Sequence, residues 1–179
     1  DNAHIFVTSD HGEGFGEHGF YLHAHHFWDE VIKIPILAHG PKFKPGVVDT
    51  RVTQSIDITK TIAELAGAST DGLPGRSLLA PSSDSDYIIS EYNEFGIHRQ
   101  AIVGQRYKVI WQRPADEKWF MKAVKKRKYF PSVSFGKETI HVFDLEKDPG
   151  ETKNLAAQMP PEAAKLLKIL RGFVAQSGS

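Results

Sequence analysis

Asp10 and His11 stand side by side where an apolar run ends, inside the stretch FVTSDHGEGFGEHG at residues 6–19. An aspartate offers a charged, hard oxygen and a histidine a borderline nitrogen, and the sharp turn that Gly12 permits brings two adjacent side chains to one ion. Such a pair makes half of a metal site. The competing local reading has Asp10 capping the loop and His11 hydrogen-bonding the backbone. Seven of the nine histidines precede residue 40. His18 and the run HAHH, with His23, His25 and His26, offer further ligands or cationic groups for an anionic substrate, although exposed loop histidines commonly do neither.

Two other patterns are weaker. GFGEHG satisfies G-x-G-x-x-G after a strand, but its glycines neither lie in the turn directly after that strand nor open a helix, and Asp10, Glu13 and Glu17 crowd the place a pyrophosphate would need. Lys118, Lys122, Lys125, Lys126, Arg127 and Lys128 interleave with Trp119, Phe120, Val124, Tyr129 and Phe130. Polyanion binding is conceivable there. An amphipathic helix with a solvated basic face, capped by Asp116, is the simpler reading.

The elements that must position these residues follow from pattern. AHIFVTS reads as a buried strand, residues 10–26 as a functional loop at its carboxyl end, FWDEVIK as a helical turn and IPILAHG as a second strand. In DITKTIAELAGA, Asp57 is placed to cap a helix whose Ile58, Ile62, Leu65 and Ala66 share a face, with Gly67 ending it. After the polar APSSDSD come YIISEY, RQAIVGQ and RYKVIWQ, the last two spaced as an antiparallel hairpin, and then TIHVFDL. A closing helix begins near Pro161 with an apolar face of Ala163, Leu166, Leu167, Leu170, Phe173 and Val174. The expected fold class is α/β, the end of a mixed or parallel sheet sandwiched by helices, followed by a small antiparallel sheet with a carboxyl-terminal helix. Residues 1–80 form the first part of this division and 81–179 the second.

The 179 residues carry 22 basic and 22 acidic side chains, for zero formal net charge, which argues against a dedicated nucleic-acid binder. No apolar run approaches the roughly 20 residues that span a bilayer, so no membrane span is expected. With no cysteine there is no disulfide, thiolate ligand or cysteine nucleophile in these residues. The compartment stays open. The first strand, apolar on both faces, needs covering layers, so a fragment of a larger protein is expected.

The segment TSDHGEGFGEHGFYLHAHHFWDEVIKIPILAHGP resembles the carboxyl half of the sulfatases of the alkaline-phosphatase superfamily. VTQSIDITKTIAELAGA with GRSLL, RQAIVGQRYKVIW and HVFDLEKDPGETKNLA resemble later blocks of that family, in order. The resemblance implies an incomplete alkaline-phosphatase-like fold, with Asp10 and His11 as metal ligands and Ca2+ as the ion, Mn2+ or Zn2+ being the alternatives. It implies a sulfated small molecule or glycan as substrate. Many sulfatases place a sulfate-binding lysine after Gly-Glu-His-Gly; this chain has FYLHAHHF, with Ala24 about where it would fall, and His23 and His25 are the residues expected to take over sulfate binding or leaving-group protonation. The family's nucleophile is a formylglycine made in a C/S-x-P-x-R motif. None of the ten prolines here has Cys or Ser two residues before it, GLPGR coming nearest with Gly72 in that place. The nucleophile is therefore expected in a missing amino-terminal part of the same enzyme, and this chain alone is expected to be inactive.

In the enzyme so implied, cations neutralise the sulfate oxygens, a formylglycine hydrate attacks sulfur in line, and a histidine or lysine protonates the departing alcohol. A phosphodiesterase, phosphonate monoester hydrolase or phosphoglycerol transferase of the same superfamily is the enzymatic alternative. A non-catalytic, stand-alone remnant or binding module is the alternative from another class.

Overall fold

The computed structural model describes residues 2–23, 26–81, 87–94, 96–124 and 134–177. Among the described residues there are three small sheets and four helices. Strand β1 (Ile5–Thr8) pairs antiparallel with β4 (Ile36–His39), Phe6 lying opposite Ala38. Between them, the loop contains the two-residue strands β2 (Gly14–Phe15) and β3 (Tyr21–Leu22), which form their own antiparallel hairpin. Helix α1 (Asp29–Ile32) supplies the anticipated turn. Gly16 and Gly19 take positive φ in the hairpin bend, and the Gly19 amide donates to the Gly16 carbonyl at 3.0 Å. No helix opens there, as rejection of the dinucleotide motif requires.

Helix α2 (Ser55–Leu65) is capped differently from the sequence expectation. Gln54 is the N-cap, and Asp57 closes a capping box by accepting the Gln54 amide at 3.0 Å. Asp57 also accepts the Arg76 amide at 2.8 Å, while Thr61 Oγ1 accepts the Leu78 amide at 2.8 Å. These bonds turn Asp57 and Thr61 inward. Ile62 of the expected apolar face is half exposed within these 179 residues.

Strands β5 (Tyr87–Glu94), β6 (Ile97–Gly104), β7 (Tyr107–Gln112) and β8 (Thr139–Asp144) form one antiparallel sheet in chain order. Helix α3 (Glu117–Val124) lies between β7 and β8 in sequence, and Asp116 accepts the Trp119 amide at 2.9 Å as its cap. Lys125, Lys126, Arg127 and Lys128 lie outside the described residues. Helix α4 (Pro161–Ser177) covers one face, burying Ala163, Leu167, Leu170 and Val174 against Ile102, Val109, Trp111 and Val142. Phe27, from just before α1, packs on the opposite face with Ala101, Ile110 and Phe143. Every residue of β7 is consequently buried. That is the physical link between the two parts of the chain: the sheet that α4 closes from one side is closed from the other by the end of the histidine-rich loop.

Candidate active site

Asp10 and His11 leave the end of β1. The Gly12 amide donates to the Val31 carbonyl at 2.7 Å, joining this turn to the end of α1. A Cβ at residue 12 would lie 2.1 Å from the Glu30 carbonyl oxygen, so the approach requires glycine. His11 Nδ1 lies 2.7 Å from the Gly12 carbonyl oxygen. An acceptor there makes Nδ1 the protonated nitrogen and turns the Nε2 lone pair outward, as metal-binding histidines require. Nε2 is 3.7 Å from Asp10 Oδ2, and the Asp10 side chain is 87% exposed. The His11 amide donates to Asp10 Oδ1 at 3.0 Å and holds that carboxyl below its usual range. One carboxylate oxygen and one imidazole nitrogen, side by side with outward lone pairs, fit a divalent ion as two of its ligands.

The hairpin carries His23 back to this pair. The His11 and His23 rings stack with centroids 4.0 Å apart, and His23 Nδ1 is 2.8 Å from Glu13 Oε2. Asp10, His11 and His23 line an open cleft of about 1040 Å³, which Arg51, Glu91 and Glu146 also border. His26 lines the same cleft and packs on Phe20 with ring centroids 4.1 Å apart. His25 and Ala24 lie outside the described residues.

His18 sits elsewhere. Its ring stacks on Trp28 at 4.1 Å, Nδ1 lies 2.6 Å from Glu30 Oε1, and Nε2 lies 3.1 Å from the Gly150 carbonyl oxygen. Both ring nitrogens thus face acceptors, an arrangement that suits the imidazolium. Burial opposes that charge, but the Glu30 hydrogen bond and charge prevail and the His18 pKa is raised.

Beside this contact lies a buried ionic cluster. Lys108 Nζ, on fully buried Lys108 of β7, donates to the Phe27 carbonyl at 3.1 Å, meets Asp29 Oδ1, and stands 2.8 Å from Glu151 Oε1. The Asp29 amide donates to Glu151 Oε2 at 2.7 Å. Burial pushes the Glu151 carboxyl up; burial acts on Asp29 likewise, but Lys108 and Lys33 hold its carboxyl down. One cation thereby holds the start of α1, and α1 holds Gly12, next to His11. The sequence signal for Lys108 is a lone lysine inside an otherwise strand-like YKVIW, and Glu151 lies in the DPGE block; neither spacing shows that the two meet. Glu13 registers in the sequence only as local negative charge.

Comparison with known proteins finds sulfatases. The sulfatase family profile, described as Sulfatase, matches residues 1–68. An arylsulfatase of Chlamydomonas reinhardtii is 29% identical across 98% of this chain, which spans 30% of that protein. A Delta 4,5-hexuronate-2-O-sulfatase of Bacteroides thetaiotaomicron is 27% identical across 97% of the chain, spanning 34% of its own length. A protein solved in complex with its substrate D-glucosamine-2-N,6-O-disulfate shares the fold, with a TM-score of 0.72 and 20% identity over 97% of this chain and 34% of that one. The chain thus spans about a third of the length of these relatives. The family profile over residues 1–68 and the relatives matched along nearly the whole chain make it similar to the carboxyl-terminal portion of sulfatases, whose fold it shares.

Proposed function

We propose that this chain is the carboxyl-terminal part of a metal-dependent sulfatase that hydrolyses sulfate esters. The observation that carries the reading is the Asp10 Oδ2 to His11 Nε2 spacing of 3.7 Å at the cleft, with His11 Nδ1 committed to Gly12. A divalent ion held there, Ca2+ by family likeness, supplies charge neutralisation of the sulfate oxygens. Asp10 and His11 orient that ion, and the contact of Gly12 with α1 keeps them in place. His23, held by Glu13, and His25 are the candidates for binding sulfate oxygens or passing a proton to the leaving alcohol. The nucleophile, a formylglycine, comes from sequence outside these 179 residues, so the isolated chain has no turnover. Residues 1–80 supply the site in this reading, and 81–179 its support. The sulfated glucosamine bound by the structural relative favours a sulfated small molecule or glycan as substrate.

The test uses the full-length protein. Asp10→Asn and His11→Ala each lower divalent-metal affinity by more than about tenfold and abolish sulfate-ester hydrolysis, measured by calorimetry and sulfate release. Unchanged metal binding in both variants would sink the reading. Cleavage of phosphate esters in preference to sulfate esters would move the enzyme to the phosphodiesterase side of the superfamily.

A further inference from the structure

We propose a second, overlapping cation site at the open end of the β2–β3 hairpin, formed by His11, Glu13 and His23, that takes a borderline divalent ion such as Zn2+. Each of these residues offers one ligand atom, and the three atoms lie within 4.8 Å of one another. The hairpin accounts for their meeting. Its register sets Gly14 opposite Leu22, so the flanking residues Glu13 and His23 come side by side, and His11 reaches the same point from the end of β1. The His11–His23 stack and the 2.8 Å contact between His23 Nδ1 and Glu13 Oε2 show the three side chains already converging. An ion that replaces the shared proton of the Glu13–His23 contact needs ligand atoms roughly 3 Å apart, close to the spacing that pair already has, with water completing a tetrahedron. Rotation of the exposed side chains brings His11 in; His11, His23 and Glu13 are 41%, 48% and 34% exposed, so an ion reaches them from solvent.

Donor chemistry separates this site from the Asp10–His11 pair. Two imidazoles and a carboxylate suit Zn2+, whereas a hard ion such as Ca2+ prefers oxygen and gains little from a second imidazole. Because His11 Nε2 serves both, the two ions compete. Zn2+ at the hairpin also removes His23 from any contact with substrate, which makes the site a candidate for zinc inhibition.

Calorimetric titration of metal-free, full-length protein with zinc chloride alone and with calcium chloride alone tests the proposal. Glu13→Gln and His23→Ala are expected to weaken zinc binding at least about tenfold while leaving calcium binding within about twofold, and Asp10→Asn to weaken calcium and spare zinc. Circular dichroism confirms that the variants are folded, and either hairpin variant alone suffices for the test. Zinc affinity unchanged in both hairpin variants, or lost equally in Asp10→Asn, overturns the proposal. Since calcium binding and sulfate release are read separately, failure here and failure of the sulfatase reading give different results.

Discussion

The sheet of β5 to β8 and the pair β1–β4 differ in how much of their covering lies within these 179 residues. The larger sheet is covered on both faces, leaving Ala101, Ile102, Val109 and Val142 without exposed surface. The pair leaves Ile5, Val7 and Leu37 more than half exposed, and one of its aromatic contacts is Phe6 edge-on to Phe43. Yet the candidate metal ligands stand at the end of the poorly covered strand. Within these residues the site borrows its anchoring from the well-packed part: Lys108 and Glu151 grip Asp29, and α1 in turn grips Gly12.

The sharpest way to break that dependence is to remove the shared cation. Lys108→Ala leaves Glu151 and Asp29 facing each other with no lysine between them, and a loss of about 3–5 kcal/mol is expected in denaturant unfolding. Metal binding at Asp10 and His11 weakens along with it. Pairing Lys108→Met with Glu151→Gln restores part of the stability, because neutralising partners together costs less than stranding one.

A smaller effect is expected one step nearer the site. Gly12→Ala forces a methyl group against the Glu30 carbonyl and costs about 1–3 kcal/mol. Hydrogen exchange should rise through residues 10–32 and leave β6 and β7 protected. Equal loss of protection in both regions would contradict the borrowed anchoring.

The smallest effect is the pH response of the His18 contact. The folded-state pKa of His18 is raised, so its stabilisation is complete below the unfolded value of about 6.5 and is lost as pH rises through the folded value. His18→Gln should therefore cost about 1 kcal/mol at pH 6 and less at pH 9, read as the difference in unfolding free energy from the unaltered protein. A cost that grew with pH would show that the imidazolium is not the stabilising form.

Much of this organisation was legible in short-range pattern. Short strand-like apolar runs marked β6, β7 and β8, and the apolar face of residues 163–174 marked the side of α4 that packs on them. On α2 the apolar face was legible and the inward turn of its polar residues was not. Its apolar residues have the right period, but Asp57 and Thr61 capture backbone amides of residues 76 and 78, and those bonds decide which side turns inward. Glu13 and His23 could not be paired from spacing because their contact depends on the register of a hairpin with only two residues in each strand.

By itself, the sequence determined where chemistry could reside: an aspartate and a histidine adjacent at a strand end, a glycine after them, and histidines gathered within the next fifteen residues or so. These are properties of neighbouring residues, and strand and turn geometry carries them without help. Only the tertiary structure decided which histidine joins the pair and which becomes a brace, sending His23 to His11 and His18 to Glu30 and Gly150. It likewise decided that a lysine in β7 would neutralise carboxylates at positions 29 and 151. A buried charge requires a partner within a few ångströms, and which segments come that close is set by chain topology rather than by local period.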